Sequence, residues 1–327
     1  MSRAALVTQR QLLQLLSKGE FLSGQKVADE LGLSRTAIAN HIKLLQEIGL
    51  DVYKVKGKGY RLAKPLSLLD ASCIIACKEA VTPDVLVQNI TDSTNSQLMQ
   101  KVTDGSVRTP GYVIVAEAQT AGRGRRGKVW YSPFGASLYF SMYWRLEQGV
   151  QAAMGLSLVV AIALSRVLEQ CYKLSPTVKW PNDVYIDGKK LAGILVELAG
   201  QADAACDVII GIGLNIQLPT QSGSYIDQSY TDLCSGYPHP IDRNKLVAQL
   251  QQKLITMLRQ FSQHGFADFA SEFNRRDHFY MKPVKLSGST ETEGLCLGVD
   301  KQGALLIKTN QAIKAFYGGE LSLRAGS

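Results

Sequence analysis

Apolar residues recur at helical spacing through the first fifty positions and switch to alternation just afterwards. Leu12, Leu13, Leu15 and Leu16 make one face of a helix over Thr8–Lys18. Ser23 is placed to cap a second helix running to Glu30, with Val27, Ala28 and Leu31 turned inward, and Gly32 supplies a turn. Ser34 caps a third helix from Arg35 to about Gly49, whose buried stripe is Ile38, Ile42 and Leu45. Two short helices around a tight glycine turn predict a helix-turn-helix. Val52 to Leu62 alternates in period two around Gly57 and Gly59, the pattern of a β-hairpin wing. Lys64-Pro65-Leu66-Ser67 reads as a linker, because proline cannot continue the wing strand.

From Leu68 to Phe273 helical and strand patterns alternate, which predicts one α+β or α/β core of enzyme size. Within it, the apolar run Ala152–Leu164 is interrupted by Ser157 and leads into Arg166 and Glu169. That is shorter than the ~20 residues a bilayer requires, so a buried helix is expected and no membrane partner. After Met281 the pattern shortens to strands at Pro283–Leu286, Gly294–Val299, Ala304–Lys308 and Ala312–Leu323, with a turn at Asp300–Gly303: a small β-barrel. The expected domains are 1–66, 67–275 and 276–327.

Charge is distributed unevenly over this plan. Residues 1–66 hold 11 Lys and Arg against 5 Asp and Glu, a balance of +6, and the remaining 261 of the 327 residues supply only +2 of the total +8. A basic small segment on a near-neutral large one points to nucleic acid. Ser34, Arg35, Thr36, Asn40 and Lys43 lie at the start or off the buried stripe of the third helix, and Lys54, Lys56, Lys58 and Arg61 stud the wing with no acid among them. Base readout is expected from the helix and phosphate contact from the wing. A protein-interaction module with a solvated charged face is the alternative; hairpin, charge and polar third helix agree better on DNA. The six cysteines include no CxxC, and Cys73 and Cys77, four apart, read as two buried thiols on one helix face rather than as metal ligands. The segment MSRAALVTQRQ lacks the apolar core of a secretory signal, so a cytoplasmic protein is expected.

The loudest local feature is Gly122-Arg-Gly-Arg-Arg-Gly127, after the apolar strand Tyr112–Ala116. It satisfies G-x-G-x-x-G and nearly satisfies G-x-x-x-x-G-K-[ST], but both motifs require a helix to open at the loop. Downstream of it, Ser137 to Trp144 is instead an alternating aromatic strand, and Val129 stands where a P-loop needs a hydroxyl. Three arginines between glycines repel one another, so the loop should be mobile until an anion neutralises it. Nearer the C-terminus, Asp187-Gly188 between apolar runs is a hairpin turn, Lys190 begins a strand, and Gly193 permits close approach of a ligand. Asn182-Asp183 is either a plain turn or a magnesium and nucleotide site. Asn215, an amide inside the apolar run Ile209–Ile216, needs a partner, and a ligand is one candidate.

Asp92-Ser-Thr-Asn95, Gln119, GRGRRG at 122–127, KWPND at 179–183, GKKLAGILVE at 188–197 and GIGLN at 211–215 succeed one another as they do in biotin–protein ligases. With the winged helix in front, the chain resembles the bifunctional ligase/repressor members of that family over essentially its whole length. The resemblance implies a mixed-sheet catalytic domain related to class II aminoacyl-tRNA synthetases and lipoate ligases, with an SH3-like β-barrel after it. By it, Ser93, Thr94 and Asn95 sit at the biotin ring system beside Gln119, with Gly193 and Leu195 in the pocket wall. Gly122, Arg123, Gly124, Arg125 and Arg126 belong to the loop that closes over the adenylate, and Trp130 packs on adenine. Asn182, Gly211, Asn215 and Arg324 complete the implied site. Lys190, Arg125 and Asp183 are the implied catalytic set, with Asp183 assisting Mg or pyrophosphate.

Reactivity dictates the chemistry. A carboxylate does not acylate an amine near neutral pH, so biotin must first take the α-phosphate of ATP, and the acceptor lysine then attacks the mixed anhydride. No Ser/His/Asp or Cys/His arrangement is needed, and the four histidines form none. The expected partners are the biotin carboxyl carrier protein and operator DNA, with biotinyl-adenylate as corepressor and a homodimer when it is bound. Two alternatives stay open: a transcription factor whose enzyme-like domain only senses ligand, and a lipoate or octanoate ligase on the same fold.

Overall fold

The computed structural model describes residues 3–147, 149–199, 205–288, 291–318 and 322–326. Helices α1 (Arg3–Leu16), α2 (Gly24–Leu31) and α3 (Arg35–Glu47) with the hairpin β1 (Val52–Val55) and β2 (Gly59–Leu62) form a winged helix-turn-helix. Ser23 and Ser34 side chains accept the N–H groups of Lys26 and Ala37, and Gly32 takes the φ of 65° that ends α2. Leu12, Leu13, Leu16, Val27, Ala28, Ile38, Ile42 and Leu45 are buried together, whereas Leu31 is only partly so. The first helix begins at Arg3 instead of Thr8 and ends at Leu16 instead of Lys18. Ala4, Ala5 and Leu6 are strong helix formers that extend it backwards.

The linker is tied down rather than free. Leu66 N–H donates to the Ser17 carbonyl, and Ala118 and Phe134 of the central domain share the apolar cluster of the winged helix. Next come α4 (Ala71–Ala76), β3 (Val85–Thr91), α5 (Thr94–Thr103), β4 (Val113–Gln119), β5 (Ser137–Leu146) and α6 (Leu156–Tyr172). The two buried thiols expected at 73 and 77 are corrected: α4 buries only Ile74, leaving Cys73 exposed and Cys77 half-buried. The apolar run around Ser157 is the buried helix α6, and Ser157 itself donates to the Pro181 carbonyl. No helix among the described residues is long and apolar enough to cross a membrane.

The chain continues through β6 (Thr177–Lys179), β7 (Asp183–Ile186), β8 (Lys189–Ala199) and β9 (Cys206–Asn215) to helices α7 (Leu233–Gly236), α8 (Arg243–His264) and α9 (Ala267–Arg276). The strands form one seven-stranded mixed sheet in the order β3-β4-β5-β9-β8-β7-β6, with only β3 and β4 parallel. Period-two alternation assigns its faces. Leu138, Phe140 and Met142 of β5 and Ile210, Ile212 and Leu214 of β9 join the main core with α6 and α8. Tyr139 and Ser141, and Gly211 and Gly213, therefore face the other way. A fully buried ion pair braces this layer: Arg243 Nη1 meets Glu117 Oε2 at 2.5 Å and also donates to the Ser67 carbonyl, while Glu117 Oε1 accepts the Leu69 N–H.

The last module is a five-stranded antiparallel sheet, β10 (Pro283–Ser287), β11 (Thr292–Val299), β12 (Leu305–Lys308), β13 (Ile313–Phe316) and β14 (Ser322–Ala325), in the order β13-β12-β11-β10-β14, consistent with an SH3-like domain. The single strand expected over Ala312–Leu323 is two, pairing with opposite ends of the sheet, and residues 319–321 lie outside the described residues. Val284, Cys296, Ile307 and Leu323 are buried in the same core as the central domain.

Candidate functional site

A cleft of about 960 Å³ opens on the sheet face opposite the main core. Its floor is made where β8 and β9 carry glycines on that face, and each glycine supports a different side chain. A Cβ on Gly211 would overlap the Asn95 amide, one on Gly213 would overlap the Trp130 ring, and one on Gly193 would reach that ring at 2.9 Å. Close packing on bare backbone is thus what those glycines provide.

At one end, α5 begins at the cleft. Ser93 caps the helix, and Gln119 at the end of β4 accepts from the Thr94 N–H at 2.9 Å and the Thr94 hydroxyl at 3.1 Å. Ser141 donates to Asn95 Oδ1 at 2.5 Å, and Asn95 Nδ2 donates to Glu197 at 2.8 Å, so both ends of this amide are fixed. At the other end, Asp187 and Gly188 take φ of 48° and 71°, a two-residue turn that sets β7 against β8. Lys190 Nζ then meets Asp183 Oδ1 at 2.9 Å and lies 5.5 Å from the Trp130 ring centroid. The Trp130 indole N–H is buried without a hydrogen-bond partner among the described residues, an open donor in the cleft wall.

The arginine loop joins β4 to β5, so the rejection of both phosphate-loop motifs stands. Short backbone hydrogen bonds shape the loop. Gly124 N–H donates to the Lys128 carbonyl at 2.7 Å, Trp130 N–H to the Gly122 carbonyl at 2.9 Å, and residues 125–127 make a 3₁₀ turn with Arg126 at φ 59°. Two of the three arginines find polar partners, Arg123 with Glu197 at 2.8 Å and Arg125 with Asn182 Oδ1 at 3.2 Å, although Arg126 still repels Arg125. Asn182 is itself pinned to β8 through the Ile194 carbonyl. Burial lowers the Arg125 guanidinium from its ordinary value, opposed by the Asp183 charge.

Of the expected residues, Ser93, Thr94, Asn95, Gln119, Arg123, Gly124, Arg125, Arg126, Trp130, Asn182, Asp183, Lys190, Gly193, Leu195, Gly211 and Arg324 all line this cleft. Gly122 and Asn215 do not. Gly122 is needed because a Cβ there would overlap Ser132 and the Trp130 carbonyl. Asn215, past the end of the cleft, spends its amide on the Thr231 carbonyl at 3.0 Å, so the ligand imagined for it is replaced by backbone.

The winged helix matches the HTH domain family over residues 8–61, the central domain the Biotin/lipoate A/B protein ligase family over 87–215, and the last module the Biotin protein ligase C terminal domain over 282–324. Over 96% of both chains, the sequence is 44% identical to Bifunctional ligase/repressor BirA of Escherichia coli. The chain belongs to the bifunctional biotin ligase/repressor family. A Bacillus subtilis member is 32% identical over 96% of this chain and 98% of its own. A solved Biotin protein ligase from Aquifex aeolicus, in complex with biotin and ATP, is 28% identical and superposes with a TM-score of 0.64 over 74% of this chain and 99% of that one.

Three residues in or directly behind this cleft escaped sequence reasoning. Lys179 lines the cleft with its ammonium 5.5 Å from the Tyr185 ring and 5.9 Å from the Phe279 ring; burial lowers it from the usual lysine range, partly offset by Asp183. Ser141 and Glu197 were passed over because one is a small residue in an apolar strand and the other an acid at a strand end. Period-two alternation placed both on the glycine face and could have found them. On the DNA-binding surface expected of the winged helix, Ser34, Arg35, Thr36, Asn40, Lys43, Lys54, Lys56 and Lys58 are exposed. Arg61 is half-buried, stacked 4.8 Å from the Phe21 ring, and shapes the wing.

Proposed function

We propose that this chain activates biotin with ATP as biotinyl-5'-adenylate, transfers the biotinyl group to a lysine of the biotin carboxyl carrier protein, and represses transcription of biotin synthesis through its winged helix. The observation that carries this is the convergence on one glycine-floored cleft of Lys190, Asp183, the paired arginine loop and the Asn95–Gln119 end. A domain that only sensed ligand would have no use for that cationic constellation.

In the first step the Asn95, Thr94 and Gln119 end holds the biotin ring and Trp130 holds adenine, which puts the carboxylate near Lys190. Lys190 and Arg125 stabilise charge as the carboxylate oxygen bonds to the α-phosphorus and pyrophosphate leaves. In the second, the carrier amine attacks the acyl carbon and AMP departs. No group of three or more His, Cys, Asp or Glu that could hold a metal occurs among the described residues. Mg fits as an ion arriving on ATP, with Asp183 a protein carboxylate in reach, and it would supply charge neutralisation on the phosphates. The domain limits 1–66, 67–275 and 276–327 and a cytoplasmic location belong to the same reading. Full-length chain incubated with biotin, ATP and a carrier domain should label one carrier lysine. Labelling with lipoate in preference to biotin, or none without a second enzyme, would overturn it.

We also infer that biotinyl-adenylate, as corepressor, favours a homodimer that reads a two-fold operator. In support, β7 begins opposite Gly193, so among the described residues β8 beyond Ile194 is paired only with β9 and leaves an edge beside the arginine loop. A carrier protein competing for this edge would lower repression. Sedimentation with a non-hydrolysable adenylate analogue should show dimer; an unchanged monomer at unchanged DNA affinity would refute the coupling.

A further inference from the structure

Glu197 lies on the same face of β8 as Gly193 and Leu195, opposite Ile209 of β9. One of its oxygens, Oε2, accepts two charge-assisted hydrogen bonds: from Asn95 Nδ2 at 2.8 Å and from Arg123 Nη2 at 2.8 Å. These donors come from different machinery. Asn95 belongs to the end of the cleft where α5 begins, and its carbonyl is held by Ser141 at 2.5 Å. Arg123 belongs to the loop, whose backbone bridges residue 123 to Val129. Glu197 does not line the main cleft; it lines a second cavity of about 720 Å³ on the far side of the arginine loop, with Gly122, Arg123 and Val129. Its carboxylate therefore stands in the partition between the two, behind both residues it holds.

We propose that Glu197 is a positioning residue that latches the arginine loop to the Asn95 end of the cleft, so that orienting the biotin site and closing the loop are one event. This rests on the ligase reading above. The adenylate is a hydrolysable mixed anhydride that must survive until a carrier lysine arrives, so an enclosing loop needs an anchor. That anchor must also release on every turnover. The Arg123 and Glu197 side chains are 44% and 25% exposed, and an ion pair so open to water is weak enough to do so. Gly211 contributes by leaving room for the Asn95 amide, where a Cβ would overlap it.

The test uses full-length chain loaded with biotin and ATP, then chased with excess unlabelled biotin and pyrophosphatase, tracking escape of labelled adenylate. Glu197→Gln should raise the escape rate several-fold to about tenfold and raise KM for biotin more than it lowers kcat of adenylate formation. Arg123→Gln, a change on the loop that cannot disturb the sheet, should give a similar escape rate, and the double variant should add little to either. Additive effects, or escape at the unaltered rate in Arg123→Gln, would overturn the proposal. Thermal unfolding of all three variants should stay within a few degrees of the parent; a purely structural Glu197 would lower it without raising escape in Arg123→Gln. If the parent chain forms no adenylate at all, the ligase reading fails and not the latch.

Discussion

Lys190 Nζ stands 2.9 Å from Asp183 Oδ1 across the β7–β8 hairpin, with the two side chains only 14% and 15% exposed. The turn at Asp187-Gly188 sets a register in which Lys190 pairs with Tyr185 and Asp183 with Gly193, so the lysine side chain reaches diagonally across the hairpin to the acid. Replacing Lys190 by Gln removes the cation meeting carboxylate and phosphate without opening a cavity in the core. Adenylate formation, measured as biotin-dependent pyrophosphate exchange, should fall by about 100- to 1,000-fold while the circular dichroism stays intact. A folded variant with near-normal exchange would remove Lys190 from the mechanism.

Gly211 and Gly213, two residues apart on one strand face, support opposite ends of the cleft. Gly211→Ala forces the Asn95 amide aside and should raise KM for biotin. Gly213→Ala displaces the Trp130 ring and should raise KM for ATP instead. Steady-state kinetics with each substrate varied separately would expose an error if both variants affected the same substrate.

On the DNA surface, Lys56 is an exposed cation with no acidic neighbour on the wing. Lys56→Ala should weaken binding to operator and random duplex alike and lower the slope of log K against log salt by about one. Asn40→Ala on α3 should change sequence preference while leaving that slope nearly the same. Titrations at a series of salt concentrations distinguish the two.

Asp277, at the junction with the C-terminal module, is pushed up to about 6 by burial, against the Phe279 N–H and the Cys296 thiol that favour its charged form. A carboxyl raised above its unfolded value of about 3.9 binds more protons folded than unfolded between those limits. Its contribution to stability is thus greatest at low pH and declines as pH rises from about 4 to about 6. Asp277→Asn keeps the acceptor for Phe279 and loses the titration. Denaturant midpoints compared at pH values near 4.5 and 7 should shift in the variant's favour at the higher pH, and a constant difference between the two proteins would contradict the burial effect.

Helical spacing, two serine caps and alternation around Gly57 and Gly59 determined the winged helix, because those signals are local: each fixes a few neighbouring dihedrals or one amphipathic face. The order of GRGRRG, KWPND and GIGLN likewise announced the chemistry. What sequence could not supply was pairing across distance. It anticipated repulsion within the arginine loop but not that Glu197, seventy-four positions away, pairs with Arg123 and that Asn182 holds Arg125. It left Asn215 in want of a ligand when a carbonyl sixteen residues on satisfied it. It also read residues 64–67 as a spacer, although Arg243 on a distant helix binds the Ser67 carbonyl and buries its charge on Glu117. Local pattern fixes where a side chain points; only the closed sheet decides which opposite charge or empty backbone it meets there.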